Sequence, residues 1–257
     1  MLLSKPVITA VVLCSSLASS VAAESRQVDA VLELFTSQGC SSCPPADELL
    51  EEYSKRQDVV ALSYSVDYWD YQGWKDTLAE HEFTERQLSY AAARGDRQVY
   101  TPQMVVNGSQ HVVGSDAKAI SAAIGSLPPP SVPIEARLAG DAVTVSVGRR
   151  ADGGESGGRP DGDVKATLWL VLYDRHVRVP VGRGENKNRT LDYYNVVRRM
   201  YPLAMWRGEP IKVDLPMGKY HQSDADGCAL LLQEEGAEGR PGPIIGAARI
   251  EGAEGRW

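Results

Sequence analysis

The hydrophobic pattern changes period near the middle of the chain. In the first half, Val28 to Phe35 is a compact apolar run broken only by Asp29 and Glu33, which predicts a buried strand. Pro44-Pro45-Ala46-Asp47-Glu48 then reads as a helix start, because proline suits the first helical position and early acids suit the positive end of the helix dipole. Ala46, Leu49, Leu50 and Tyr53 fall on one helical face, and the helix is expected to end near Arg56. Val59 to Val66 predicts a second strand. An aromatic loop, Asp67 to Trp74, leads to a helix over Phe83 to Ala93. Gln103 to Val106 and His111 to Val113 flank Asn107-Gly108, a strong hairpin signal. Ala117 to Ile124 predicts a further helix, so the order is β-α-β, α, β-β-α.

Leu127-Pro128-Pro129-Pro130-Ser131-Val132-Pro133 reads as a stiff, extended linker. Beyond it the pattern is one of short strands: Ile134 to Leu138, Val143 to Val147, Ala166 to Tyr173, Ile211 to Leu215, Cys228 to Gln233 and Ile244 to Ile250. That succession predicts a mostly antiparallel, sandwich-like domain. Arg183 to Arg199 is ambiguous between a helix and a twisted hairpin. The Gly-rich segment 152–158 reads as a hairpin loop.

The N-terminus adds a targeting signal. Lys5 is the only charge before Glu24, Val7 to Leu13 is apolar, and Val21-Ala22-Ala23 suits signal peptidase. The run is far below the roughly 18 apolar residues that span a bilayer. The expectation is a signal peptide over 1–23, a first domain over 24–126, the linker over 127–133 and a β-rich domain over 134–257, the mature protein being periplasmic or secreted. A formal net charge of −7, with no clustered Lys and Arg, argues against a nucleic-acid partner.

Cleavage would remove Cys14 and leave Cys40, Cys43 and Cys228 of the four cysteines. Three cysteines make no disulfide scaffold, so attention falls on the close pair. Cysteines three apart at a strand-to-helix junction can close a small disulfide or face one ligand, and the helix N-terminus favours the reactive thiolate. The bland alternative is an inert structural disulfide. Cys228, in an apolar strand, is expected to act as a small hydrophobe. Pro102 opens a strand, where a residue without an N–H is awkward. A cis peptide would explain it. His81, His111, His176 and His221 show no mutual ligand spacing. Asn107-Gly108-Ser109 and Asn188-Arg189-Thr190 match a glycosylation triplet that also arises by chance.

Through the Cys40-Ser41-Ser42-Cys43 motif and Tyr100-Thr101-Pro102, residues 26 to 126 resemble the thioredoxin superfamily. The resemblance implies Cys40 as nucleophile, Cys43 as resolving thiol and Pro102 as the cis-proline beside them. Glu33 to Asp47, Val66-Asp67-Tyr68-Trp69-Asp70, Tyr100 to Gln103, Gly184-Glu185-Asn186 and Tyr194 to Val197 further resemble an exported bacterial family catalogued as a domain of unknown function. That resemblance brings a thioredoxin-like structure and no reaction.

The leading functional expectation is a thiol–disulfide oxidoreductase acting on protein or small thiol and disulfide substrates, with no cofactor. Cys40 is expected to be the more exposed sulfur. Thr101, Trp69, Asp67 and Trp74 are candidate substrate contacts. Glu33 is costly in a buried strand unless paired. It is expected either to accept the Cys43 proton as a general base or to pair with Lys or Arg. Two alternatives stay open: a soft-metal site in which the same cysteines hold copper, and a non-catalytic interaction module braced by the disulfide.

Overall fold

The computed structural model describes residues 25–139, 142–150, 164–220 and 225–250. The expected signal peptide, the Gly-rich segment 152–158 and His221 lie outside the described residues. The first half contains β1 (Ser25–Gln27), β2 (Ala30–Thr36), α1 (Pro44–Ser54), β3 (Val59–Ser65), α2 (His81–Arg94), β4 (Gln103–Val106), β5 (Gln110–Val113) and α3 (Ala117–Ser126). The second contains β6 (Ile134–Ala139), β7 (Ala142–Val147), β8 (Ala166–Pro180), β9 (Thr190–Trp206), β10 (Ile211–Pro216), the single turn α4 (Met217–Tyr220), β11 (Gly227–Glu235) and β12 (Pro241–Ile250).

Nine strands form one mixed, mostly antiparallel sheet in the order β1-β12-β11-β8-β9-β3-β2-β4-β5, and β10-β7-β6 form a second, small sheet. Within the first half β2 and β3 are parallel, while β4 and β5 are antiparallel to their neighbours. Side chains alternate across a strand, and the two faces of the large sheet are covered differently. Leu32 and Leu34 of β2 pack with Ala46 and Leu50 of α1 and Ile120 of α3. Val31 and Phe35 point the other way, into a cluster with Phe83 and Tyr90 of α2. That cluster also holds Val171 and Tyr173 of β8 and Ala229 and Leu231 of β11. Leu168, Leu170 and Leu172, in the alternate positions of β8, instead face the small sheet. One helix, α2, thus covers residues of both halves.

The segment 127–133, expected to be a spacer, is anchored at Pro130 and Val132, while Pro128, Pro129, Ser131 and Pro133 are exposed. Val132 is fully buried and its N–H donates to Ile245 O at 2.8 Å. Asn107, at the tip of the β4–β5 hairpin, ties the halves further. Its carboxamide accepts from Val31 N–H (2.8 Å) and donates to Pro128 O (3.0 Å), and its carbonyl accepts from Ile244 N–H (2.9 Å). Its φ of 47° and the φ of 65° at Gly108 are those of the tight turn that Asn-Gly favours. A side chain held in this way is no glycosylation acceptor.

The ambiguous stretch 183–199 is resolved as a turn followed by a strand, β9, the return arm of a long hairpin with β8. Over its first residues Leu191, Tyr193 and Asn195 are buried in alternation, a period of two, before Val196 and Val197 extend the burial. Its strand pairing with the first half is short. Val196 pairs in parallel with Ser63, and Asn195 Nδ2–H donates to Ala61 O at 2.8 Å.

Candidate functional site

Cys40 and Cys43 form a disulfide in the loop between β2 and α1, with Cα atoms 5.4 Å apart. The residue before a proline is normally pushed out of helical geometry. Cys43 is nonetheless helical (φ −77°, ψ −37°), because its carbonyl already accepts from Ala46 N–H (2.8 Å) and Asp47 N–H (3.2 Å). Pro44 and Pro45 have no N–H to offer. The first turn of α1 therefore has little left with which to solvate a thiolate. Neither cysteine is open to solvent: Cys40 is 1 % exposed and Cys43 0 %. Cys40 is thus hardly more open than Cys43, and Ser41 and Ser42 are the exposed residues of the motif.

Several loops meet around this pair. Gly39 admits the Trp69 loop, since a Cβ at Gly39 would sit 3.0 Å from Trp69 Cβ. Trp69 Nε1–H donates to Thr101 Oγ1 at 2.7 Å, and the Thr101–Pro102 peptide is cis. Phe35 pairs with Gln103, so Pro102 lies at the same sheet end as the cysteine loop. Gly114 packs between Pro102 and Ala46, with its Cβ position 3.1 and 3.2 Å from theirs.

Trp74 Nε1–H donates to Gln38 Oε1 at 2.8 Å while its ring lies against Gly182 and its Cβ against Gly184, so it braces the cysteine loop. Asp67 is turned toward α2, accepting from Thr84 Oγ1–H at 2.6 Å and lying 2.9 Å from His81 Nδ1. Partial burial alone would raise its carboxyl, but these two partners outweigh it and hold the group below its ordinary value.

The second half supplies a contact that sequence reasoning missed. Buried Asn186, in the β8–β9 turn, donates through Nδ2 to Gln38 O (3.0 Å) and to Cys40 O (2.9 Å). Arg189 Nη1–H in turn donates to Asn186 Oδ1 at 2.9 Å. The turn clasps the cysteine loop by its backbone. The polar Gly184-Glu185-Asn186 triplet marked this turn in the sequence, but nothing there revealed which loop it meets.

Glu33 does not join the cysteines. It shares the α2-facing side of β2 with Val31 and Phe35, opposite the side on which α1 packs. There it pairs with Arg86 Nε (2.8 Å) and accepts from Tyr90 O–H. Arg86 also donates to Tyr90 OH and to Gln233 Oε1, and Gln233 donates to Tyr90 OH. The charge is compensated, and the pairing alternative describes it. The role of base for Cys43 is corrected accordingly.

The acid on the α1 side is Asp47, one helical turn after Cys43 and 3 % exposed. Neither carboxyl oxygen has a hydrogen-bond partner among the described residues. The same is true of Thr36 Oγ1, Ser63 Oγ, Ser65 Oγ and Tyr193 OH. Thr36 and Ser65 are register partners, as are Leu34 and Ser63, so the three hydroxyl residues share the α1 side. Burial pushes the Asp47 carboxyl well above the ordinary carboxylate range; the nearby Thr36 hydroxyl opposes this, and the charges of Asp76 and Glu48 add to it. Asp76 is itself raised by burial, against hydrogen bonds from Gln38 N–H (2.7 Å) and Leu78 N–H (2.9 Å). Sequence reading took Asp47 only as a helix-start acid; its spacing of four from Cys43 and three from Leu50 was the available signal.

Among the described residues no group of three or more His, Cys, Asp or Glu is arranged to hold a metal ion, and no helix is long and apolar enough to cross a membrane. Cys228 is a buried free thiol whose burial raises its pKa.

Residues 31–233 match the model of a family described as "Protein of unknown function (DUF1223)". A crystal structure of an Agrobacterium tumefaciens protein from the Northeast Structural Genomics Consortium is similar at 38 % identity and a TM-score of 0.75. The match covers 88 % of this chain and 95 % of that one. No curated protein matches.

Proposed function

Since this chain belongs to the DUF1223 family of proteins of unknown function, its activity has to come from its own site, and we propose that it is a thiol–disulfide oxidoreductase working through Cys40 and Cys43. The observation that carries the reading is the disulfide at the junction of β2 and α1, beside the Pro102 loop, in a half-sheet ordered β3-β2-β4-β5. This arrangement resembles the thioredoxin superfamily, in which such a pair exchanges electrons with substrate thiols. A substrate thiolate attacks Cys40 Sγ, Cys43 leaves, and a second substrate thiolate resolves the mixed disulfide, giving a substrate disulfide and the Cys40/Cys43 dithiol; the reverse sequence reduces a disulfide. In this reading the protein works in the periplasm or after secretion, where disulfides persist. Access is restricted, since Cys40 is 1 % exposed, and the surrounding loops have to shift before a thiol reaches its sulfur.

A second reading is a bracing disulfide without turnover, favoured by the 1 % exposure of Cys40 and the Asn186 clasp. Redox titration of the native protein against thiol couples, with thiol trapping and mass mapping, separates the two. The oxidoreductase gives a reversible two-electron transition confined to Cys40 and Cys43. A pair that resists every reductant until the protein is unfolded sinks the redox reading and leaves the brace. Stoichiometric retention of added copper by the reduced protein would mean metal binding instead.

A further inference from the structure

When the Cys40–Cys43 bond opens, Cys43 becomes a leaving group in a fully buried position. Thioredoxin-type helices ordinarily stabilise sulfur with free N–H groups of their first turn. Here Pro44 and Pro45 have none, and the N–H groups of Ala46 and Asp47 are spent on the Cys43 carbonyl. A buried thiolate without donors is costly, so departure of the sulfur calls for a proton.

Asp47 is placed to give one. Residues four apart on a helix are stacked neighbours on one face, with Cβ atoms roughly 5–6 Å apart. Its carboxyl is buried, has no hydrogen-bond partner among the described residues, and lies near Thr36 and Tyr193, hydroxyl groups in the same condition. Buried polar groups are normally satisfied, and a local group of unsatisfied ones asks for an explanation. Asp47 also lines a cleft of about 150 Å³ between α1 and β9, with Arg189 and Asp192 on its far wall, through which protons can be replaced from solvent.

We propose that Asp47 is the general acid for Cys43, an inference that rests on the redox reading of the disulfide. A substrate thiolate forms a bond to Cys40 Sγ as the Cys40–Cys43 bond breaks; the electron pair goes to Cys43 Sγ, and the Asp47 proton moves to that sulfur. The products are a mixed disulfide on Cys40, a neutral Cys43 thiol and an Asp47 carboxylate. In the reverse step the carboxylate takes the proton back as Cys43 attacks. Burial favours the protonated form of the resting acid. Glu48 and Glu51 on α1, Asp76 from the loop before α2, and Asp192 and Tyr193 on β9 surround it with like or ionisable groups, Arg189 being the facing cation.

The test is stopped-flow reduction of the oxidised full chain by dithiothreitol, with the rate constant divided by the thiolate fraction at each pH. Asp47→Asn, nearly isosteric, is expected to be slower by roughly tenfold or more at acid pH, short of the ~10²–10⁴-fold scale of general acid catalysis because a thiolate is already a fair leaving group. The two proteins should converge as pH rises through the raised folded-state pKa of Asp47, where the wild-type acid loses its proton. A variant that matches the wild type, or is slower by one factor at every pH, overturns the proposal. If Asp47→Asn does not fold, Asp47→Glu decides instead: its pH break must shift, and a profile superposable on the wild type overturns it. A wild type that dithiothreitol does not reduce is a different failure, that of the redox reading.

Discussion

Glu33 and Asp47 are buried carboxyls on opposite sides of β2, and they are treated in opposite ways. Glu33 sits against Arg86 and Tyr90, which bond each other and are both bonded to Gln233. Asp47 faces hydroxyl groups at no hydrogen-bond geometry and a second acid, Asp76. A compensated buried charge behaves as structure, since removing one partner strands the other. An uncompensated acid costs stability on folding and stays neutral instead, which is the state a proton donor needs. Both sites bury a carboxyl group; the partners separate a strut from a reagent.

The α2 side also joins the halves, and truncation is the hardest way to break it. Gln233, Val171, Ala229, Leu231 and Ile244 are contributed from beyond the proline-rich segment. A fragment ending at Ser126 loses them, together with the β9 neighbour of β3. It is expected to be unfolded by circular dichroism and proteolysis, and a cooperative unfolding transition in that fragment would show that each half holds its own core.

The next largest effect belongs to the strut itself. Glu33→Gln leaves the Arg86 guanidinium with no counter-charge in a site where its side chain is 11 % exposed. Breaking a buried pair from one side costs about 3–5 kcal/mol. Denaturant unfolding should show a loss of that size, while the per-thiolate reduction rate of the folded variant stays at the wild-type value. A slower disulfide opening with unchanged stability would return Glu33 to the chemistry.

Much of this frame was legible in the sequence. The apolar run at 28–35, the Pro-Pro helix start and Asn107-Gly108 place the elements of the first half because each is a local signal. What joins the halves was not legible, since it depends on single side chains meeting across long separations: Asn107 with Pro128, Asn186 with Cys40, Gln233 with Tyr90. The prolines of 127–133 read as a spacer because rigid extended backbone looks alike whether it bridges solvent or lies along β12. Glu33 was singled out since a charge in an apolar strand is conspicuous. Asp47 was passed over because an acid at a helix start is ordinary, and its peculiarity is the lack of partners in the fold.

The smallest effect is the most discriminating, because its sign is opposite to that at Glu33. The folded-state pKa of Asp47 is raised above the ordinary value, with burial as the first cause. Below pH ~4, the ordinary carboxyl value, folded and unfolded chains both carry the proton, and the group makes no difference to the pH slope. Above it the unfolded chain releases the proton while the folded one retains it. Folded protein then binds more protons, and stability falls as pH rises, until the folded pKa is passed. Asp47→Asn removes this loss. The variant should therefore gain on the wild type as pH climbs from about 4 to 7, with little difference at the acid end. Asp76, raised in the same direction, leaves a residual slope of the same sign in the variant. Thermal melts of both proteins across that range measure the gap. A gap that stays flat, or one that widens toward acid pH, would mean that Asp47 carries a compensated charge like that of Glu33, and the contrast between the two sides of β2 would fall with it.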